Sequence, residues 1–534
     1  MSAEPTAPAV YEVRDPRGAR HPVRRVPLAR RPAHLAGRTL VLINSMPHGS
    51  NMEEVIDRAA AMIPVRCPGA AVRRLNRGLN YMDDDAAQRA EIVAAGELVV
   101  YFGSPTSALT QVAYGYLAAL ERDGVASVFI GFDAVAGFGA AARERIGAPI
   151  RDVMIPYPVR PNSEAVGTAI EAALDALTRP LTNEEQAIGL SEPPSPPRIA
   201  CRGDLAAVQH HFAAEGWTDG LPIIPPTEEA VAAMLAGTSH RPDEIVAPSM
   251  PPEGWRADVE AVAINAVMAG AAPCHLPILL AAVEAFAGGP SAFNVRSGNS
   301  FSYLQLVGGP IAREVGMNGG DNALGPGNRA NAVIGRALNL FIRNLGGGRV
   351  GTNIANVQGN MAMLSGAFTE NEASPWPPFH VSQGFGPEDS TLSLFAGGWS
   401  HTGNFMLDGF DLLARSLATF EMPNGAVVLI SAARAAQAHL SGLSREDVAE
   451  TIWRAARLPL GEFRRSAYFD GLITTRIRRD GTWPADYLTR PDGDEVPVFP
   501  RGTIAVAVVG GLSAPVMQGW KAAHQSSVSI DRWR

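Results

Sequence analysis

The residue types most able to do acid-base chemistry gather in FTENEASPWPPFH, which holds Glu370, Glu372 and His380 with Trp376 between them. Burial raises a carboxyl pKa and imidazole titrates near neutrality, so two carboxylates and a histidine around a buried aromatic can exchange protons with a substrate. Glu370 and Glu372 stand two apart and share a face where the chain is extended. The plainer reading of each alone is a solvated or capping residue. A second set lies in NGGDNALGPGNRANAVIGR, where Asn318, Asp321, Asn322, Asn328, Arg329 and Asn331 precede and open a long helix. A glycine-rich loop feeding a helix N-terminus can cradle a carboxylate or phosphate, with Arg329 as a bidentate clamp. It reads equally as a turn stabilised by Asn side chains, and it lacks the Gly-Lys-Ser/Thr ending of a Walker A loop.

Single residues add to these sets. Asp219, in WTDGLP, is a turn former or a fixed carboxylate at a cleft edge. His401, in GGWSHTGN, follows an apolar strand within a glycine-rich turn, where a histidine can act or simply bond to backbone. His380 and His401 could join Glu370 or Asp321 on a metal, but no HxH or HExxH spacing supports this, and no metal site is predicted. Cys274 stands at a helix start, where a thiolate is favoured, although a buried structural cysteine is the commoner case. Ser513, in GGLSAP, is not a G-x-S-x-G nucleophile.

These residues need elements to hold them. The chain has 534 residues, enough for at least two domains, with 46% hydrophobic and 18% charged residues, a globular composition. Gly 54 and Pro 42 predict many tight turns. The formal net charge of −8 gives no reason to expect nucleic acid or an anionic membrane as partner. Three scattered cysteines make neither a disulfide framework nor a zinc site. No signal peptide or membrane-spanning run is evident, so a cytoplasmic location is expected.

Residues 1–36 are rich in Pro and Arg and read as an extended arm over the domain or over a partner subunit. Over 37–180, apolar runs such as TLVLINS, ELVVYFG and ASVFIGF alternate with helices of about a dozen residues, which predicts a doubly wound α/β domain with ligands beyond the strand C-termini. Residues 181–200 have linker composition. Residues 201–534 lose the βαβ rhythm, place helices and strands in blocks, and are read as a larger glycine-rich α+β domain that holds the active site.

The strand-turn-helix ELVVYFG-SPTS-ALTQVAYGYLAAL, with LINSMPHGSNMEEVIDRAA, resembles the UGSC-like family. There a selenocysteine or cysteine, then Gly-Ser-Cys-Thr-Ser, follows the third strand, and a thiol or selenol redox role is inferred from that motif. Here the positions read Phe102, Gly103, Ser104, Pro105, Thr106 and Ser107, so both chalcogens are replaced and thiol chemistry at this turn is excluded. TDGLPIIPPTEEAV, AINAVMAG, GPGNRANAVIGRAL, ENEASPW and VSQGF look like the long, two-domain members. The resemblance implies architecture rather than a reaction. The hydroxyls and N–H groups of Ser104, Thr106 and Ser107 can hold an anion, or Thr106 or Ser107 simply caps the helix.

The expectation is a small-molecule enzyme, a lyase, hydratase, isomerase or cyclase acting on a polar, carboxylate-bearing metabolite without a thiol. Arg329, Asn328, Asn318, Asp219, Trp376 and the 104–107 turn would bind the substrate, and His380, Glu370, Glu372, His401 and Asp321 would move protons. No cofactor is predicted. The alternatives are an oxidoreductase with a bound metal or flavin, and a non-catalytic partner of a family member that keeps its chalcogen. A homodimer is expected from the arm and from helices with small-residue faces.

Overall fold

The computed structural model describes residues 9–45, 52–77, 85–403, 409–419, 424–466, 469 and 473–534, without the side chains of 292–293, 398–403 and 475. Ser50, which with Glu53 has the spacing of a capping box for the first helix, lies outside the described residues. In chain order the N-terminal part comprises β1 (Tyr11–Arg14), β2 (Val23–Arg25), β3 (Thr39–Asn44), α1 (Met52–Arg66), β4 (Ala71–Asn76), α2 (Ala86–Ala95), β5 (Leu98–Phe102), α3 (Ser107–Arg122), β6 (Ser127–Phe132), α4 (Ala136–Ile146), β7 (Asp152–Ile155) and α5 (Glu164–Thr178).

Five of these strands form a parallel sheet in the order β4-β3-β5-β6-β7. Alternation along each strand divides its side chains between two cores, as a sheet covered on both faces requires. Leu40, Leu42, Val100 and Phe102 pack with α1 and α5, whereas Val41, Ile43, Val99 and Tyr101 pack with α3 and α4. This is the predicted doubly wound domain, and its switch point falls between the C-terminal ends of β3 and β5.

The arm and the linker pair with each other. β8 (Gly189–Ser191) is antiparallel to β2, and β9 (Ile199–Gly203) is antiparallel to β1. The arm thus lies on its own chain. Val13 is fully buried in the second domain's core, and Arg14 reaches Glu228 and Glu260, each at 2.7 Å. The buried amide of Asn265 donates to the carbonyl of Pro16 at 2.8 Å.

The second part continues with α6 (Leu205–Ala214), α7 (Glu228–Leu235), β10 (Ile245–Met250), β11 (Trp255–Asp258), α8 (Val259–Ala269), α9 (Leu276–Ala287), α10 (Ser291–Arg296), β12 (Ser302–Gly308), α11 (Pro310–Glu314), α12 (Arg329–Asn344), β13 (Ala367–Thr369) and β14 (Thr391–Gly403). It ends with α13 (Asp411–Ala418), β15 (Ala426–Ile430), α14 (Ala432–Leu440), α15 (Arg445–Ala455), β16 (Arg457–Pro459), α16 (Leu460–Arg464), α17 (Thr474–Arg479), β17 (Glu495–Pro497), β18 (Ile504–Val508) and β19 (Met517–Ser529). Six strands make one mixed sheet, β13-β12-β14-β19-β15-β18.

The βαβ rhythm is not wholly absent here. β12 and β13 are parallel, as are β15 and β18, each pair joined through helices. The sheet curls until its two edges meet, where the Asn371 N–H donates to the Val508 carbonyl at 2.7 Å. Inside the curl lie Leu304, Leu306, Phe368, Phe379, Phe395, Leu429 and Ala507. Outside, α8, α9 and α12 cover one half, and α13 and α15 cover the other. His401 falls in β14, paired with Gly519, rather than in the expected turn, and its side chain lies outside the described residues.

Candidate functional site

The place where the curled edges meet explains Glu370. It follows β13 and meets β18, an edge strand whose N–H and C=O groups lack a ladder partner on one side. Glu370 Oε1 accepts from the Val508 N–H at 2.9 Å and from Arg445 Nη1 at 2.7 Å. Its Oε2 accepts from the Phe379 N–H at 2.5 Å. Arg445 also donates to the carbonyls of Val506 and Pro377, at 2.5 and 2.8 Å. The pair is buried, at 12% and 6% side-chain exposure, and side chains here replace missing ladder bonds. Glu370 is therefore a seam clamp with both oxygens engaged, which corrects its assignment as the proton carrier.

Its expected companions do not join it in one acid-base set. Glu372 is exposed and lies 3.6 Å from Arg313. His380 is buried, with Nε2 donating to the Pro387 carbonyl at 3.3 Å and Nδ1 facing Gly308, where a Cβ would come within 2.6 Å of it. It is a core histidine bonded to backbone, neither the proton carrier nor the solvated or capping residue expected of this set. Trp376 is buried as expected, its Nε1 donating to the Leu443 carbonyl at 3.1 Å, with Arg445 above its ring at 5.9 Å.

The glycine-rich loop follows the plainer of its two readings. Asn331 bonds both the N–H and the carbonyl of Asn318, and Asn328 caps α12 through the Asn331 N–H. Asn318 accepts from the Gly320 N–H. Arg329 points away from the loop, donating to the carbonyl of Gly270 at the end of α8 at 2.9 Å. Asp321 is exposed and its carboxylate touches Gly511. Asp219 accepts from the Leu221 N–H, the expected turn bond, and also holds Arg336 bidentate at 2.8 and 3.0 Å. Asp321, Arg329 and Asp219 thus face different neighbours and build no common anion cradle.

Next to the seam clamp opens a cleft of about 470 Å³, lined on one side by α15 (Glu446, Glu450 and Trp453) and on the other by Arg501, β18 and His524. Phe379, Ser382 and Gln383 close its end, and Arg445 forms part of its wall. His524 stands on β19, packed against Phe395 and Phe379 with ring centroids at 5.3 and 5.9 Å, and its free edge is open to the cleft. Burial of the packed edge pushes its pKa down, so the imidazole is neutral and able to accept a proton near neutrality. Its Nε2 lies 2.9 Å from the Ser527 hydroxyl, a bond that orients the ring. Glu450 holds Arg454 and Arg501, whereas Glu446 is exposed in the first turn of α15.

Sequence reasoning missed His524 because it missed β19. MQGWKAAHQSSVS has no apolar run and few β-branched residues, yet it is an interior strand. The same strand carries Lys521, 2% exposed, whose ammonium lies 4.4 Å from the centre of the Phe499 ring and whose pKa burial pushes down to about 7. A 13-residue stretch free of proline between turn signals was the one clue available.

In the N-terminal domain, the turn after β5 uses its own hydroxyls. Ser104 Oγ lies 3.1 Å from Thr106 Oγ1 and accepts from the Thr106 N–H at 3.3 Å. Thr106 occupies the cap position of α3 without a side-chain cap bond. Ser107 Oγ donates instead to the Arg296 carbonyl of the second domain at 2.7 Å. The capping alternative is thereby corrected: this hydroxyl joins two domains. Phe102 is fully buried in the core, and a Cβ at Gly103 would fall 2.3 Å from the Phe129 ring, so only glycine fits there.

Among the described residues no three His, Cys, Asp or Glu side chains group as metal ligands would, and no helix is long and apolar enough to cross a membrane. The three cysteines are free thiols.

The architecture is that of a two-part α/β protein whose first part is doubly wound around a glycine-serine turn. Residues 12–183 match the model of the UGSC family, and this part of the chain is UGSC-like as its motif implied. The match begins within β1 and so takes in most of the arm. No curated protein and no solved structure matches the chain.

Proposed function

We propose that this chain is a small-molecule enzyme that works by acid-base chemistry on a polar, carboxylate-bearing metabolite, with the reaction in the cleft between α15 and β18–β19. The observation that carries this reading is the His524 imidazole lining a cleft of about 470 Å³ that also holds carboxylates and guanidinium groups. In this reading Arg501 attracts the substrate carboxylate, and His524 takes a proton from the neighbouring carbon and returns that same proton to the departing hydroxyl or to the adjacent carbon. The class is that of lyases, hydratases and isomerases, in which the proton taken and the proton returned balance.

The test is a turnover screen of carboxylate metabolites, followed by His524→Gln. Loss of the imidazole is expected to lower kcat by about 10²-fold or more, with an acid limb in kcat/KM at a pH below the ordinary histidine value, in keeping with burial. Unchanged turnover in His524→Gln would sink the assignment.

One observation favours a second reading. Phe102, at the family's chalcogen position, is part of the hydrophobic core, as suits a non-catalytic subunit that assembles with a chalcogen-bearing relative. A co-purifying chain with Cys or Sec at that position, and no cleft-dependent turnover, would establish it.

A further inference from the structure

Four arginines meet where residues 15–20 cross the second domain. Arg17 lies over Trp217 and Arg20 over Trp255, each with 5.0 Å to the ring centre. Arg343 stands in the last turn of α12. Arg349 donates to the carbonyls of Arg343 and Gly348 at 2.9 and 2.8 Å. The frame is tightly built, since a Cβ at Gly347 would fall 2.5 Å from Trp255.

The acids nearby are mostly committed. Asp15 holds Arg17 at 2.7 and 3.0 Å, Asp219 holds Arg336, and Glu144 lies 3.6 Å from Arg20. Glu215 is exposed. Arg343 is half-buried, yet its guanidinium makes no hydrogen bond among the described residues.

A cation at a helix C-terminus ordinarily serves the last carbonyls, but these are already served. Phe341 accepts from Leu345 and Gly346, Ile342 from Gly348, and Asn344 from Gly18 of the arm. Arg349 takes the carbonyl of Arg343. Burial pushes both Arg343 and Arg349 below the ordinary arginine range; the charge of Asp219 draws Arg343 part of the way back, and the like charges of Arg343, Arg17 and Arg20 push Arg349 further. Clustered guanidinium groups with one left open form a ready receptor for a multiply charged oxyanion.

We propose that Arg343, with Arg17 and Arg349 beside it, binds a multiply charged oxyanion, a phosphate ester or a polycarboxylate, at the crossing of the arm over the second domain. The site shares no residue with the α15–β19 cleft, and the bound anion fastens the arm to α12.

Thermal melts and calorimetric titrations with inorganic pyrophosphate and with citrate, each against potassium chloride of matched ionic strength, test this. Either probe is expected to raise the melting temperature beyond the chloride control, and the tighter one identifies phosphoryl or carboxylate chemistry. Arg343→Gln is expected to weaken Kd about tenfold or more and Arg343→Lys less. Unliganded Arg343→Gln should melt no lower than the parent, because it relieves repulsion. No stabilisation beyond chloride, or an equal Kd in Arg343→Gln, would overturn the proposal. A lower unliganded melting point in Arg343→Gln that Arg343→Lys restores would also overturn it, by marking a structural role.

Discussion

Arg445 and Glu370 show how a pair that looks reactive can be structural. A buried carboxylate near a histidine and a tryptophan invites an acid-base reading, but the partner that occupies it lies 75 residues away. Removing one member leaves the other charge buried alone, so Arg445→Met or Glu370→Gln is expected to cost about 3–5 kcal/mol in urea unfolding. The double variant Glu370→Leu/Arg445→Met should cost less than the sum of the two single variants. Lys521 gives a pH signature at the same scale. Its pKa is depressed to about 7 in the folded chain, so between that pH and the ordinary lysine value the unfolded chain holds more protons. Its contribution to stability therefore rises with pH across this window and is level below it. Lys521→Met is expected to flatten that rise in chemical unfolding followed from pH 7 to 10; an equal slope in both proteins would refute the assignment.

At the scale of elements, the cap of α15 bears directly on the cleft. The Ser-x-x-Asp spacing of SREDVAE predicts a cap, and Ser444 and Asp447 form a capping box, with the Ser444 hydroxyl accepting from the Asp447 N–H at 3.0 Å. Ser444→Ala is expected to lower stability by about 1 kcal/mol and to loosen the first turn, which carries Arg445 and Glu446; the denaturant midpoint measures the first effect. β19 shows the opposite case. A strand buried between β14 and β15 needs no apolar run when its own residues are small: Ala522 is buried, and a Cβ at Gly519 would fall 2.9 Å from Leu413 and Leu417. Its identity as a strand comes from hydrogen bonds to β14 and β15 that no local pattern announces.

At the scale of the whole molecule, the chain passes between its two parts along paired strands. Deleting residues 1–20 removes β1, exposes the site of Val13 and strips Asn265 of its Pro16 acceptor. The expected losses are about 1.5–3 kcal/mol for the valine and about 1–3 kcal/mol for the buried amide. They should fall on the second domain, so its transition in limited proteolysis should move to lower denaturant while the first domain's stays.

The doubly wound domain was legible because its strands are buried on both faces and read as continuous apolar runs, and because the turn at 102–107 keeps the family's glycine-serine grammar while losing its chalcogens. Local signals also mark the cap of α15 and the turn at Asp219. The curl of the second sheet, the Glu370–Arg445 clamp, the pairing of arm with linker and the exposure of His524 to a cleft were decided by tertiary structure alone. Each joins residues tens to hundreds of positions apart. Charge pairing, edge-strand satisfaction and burial depend on that distant partner, whereas periodicity and capping depend only on near neighbours.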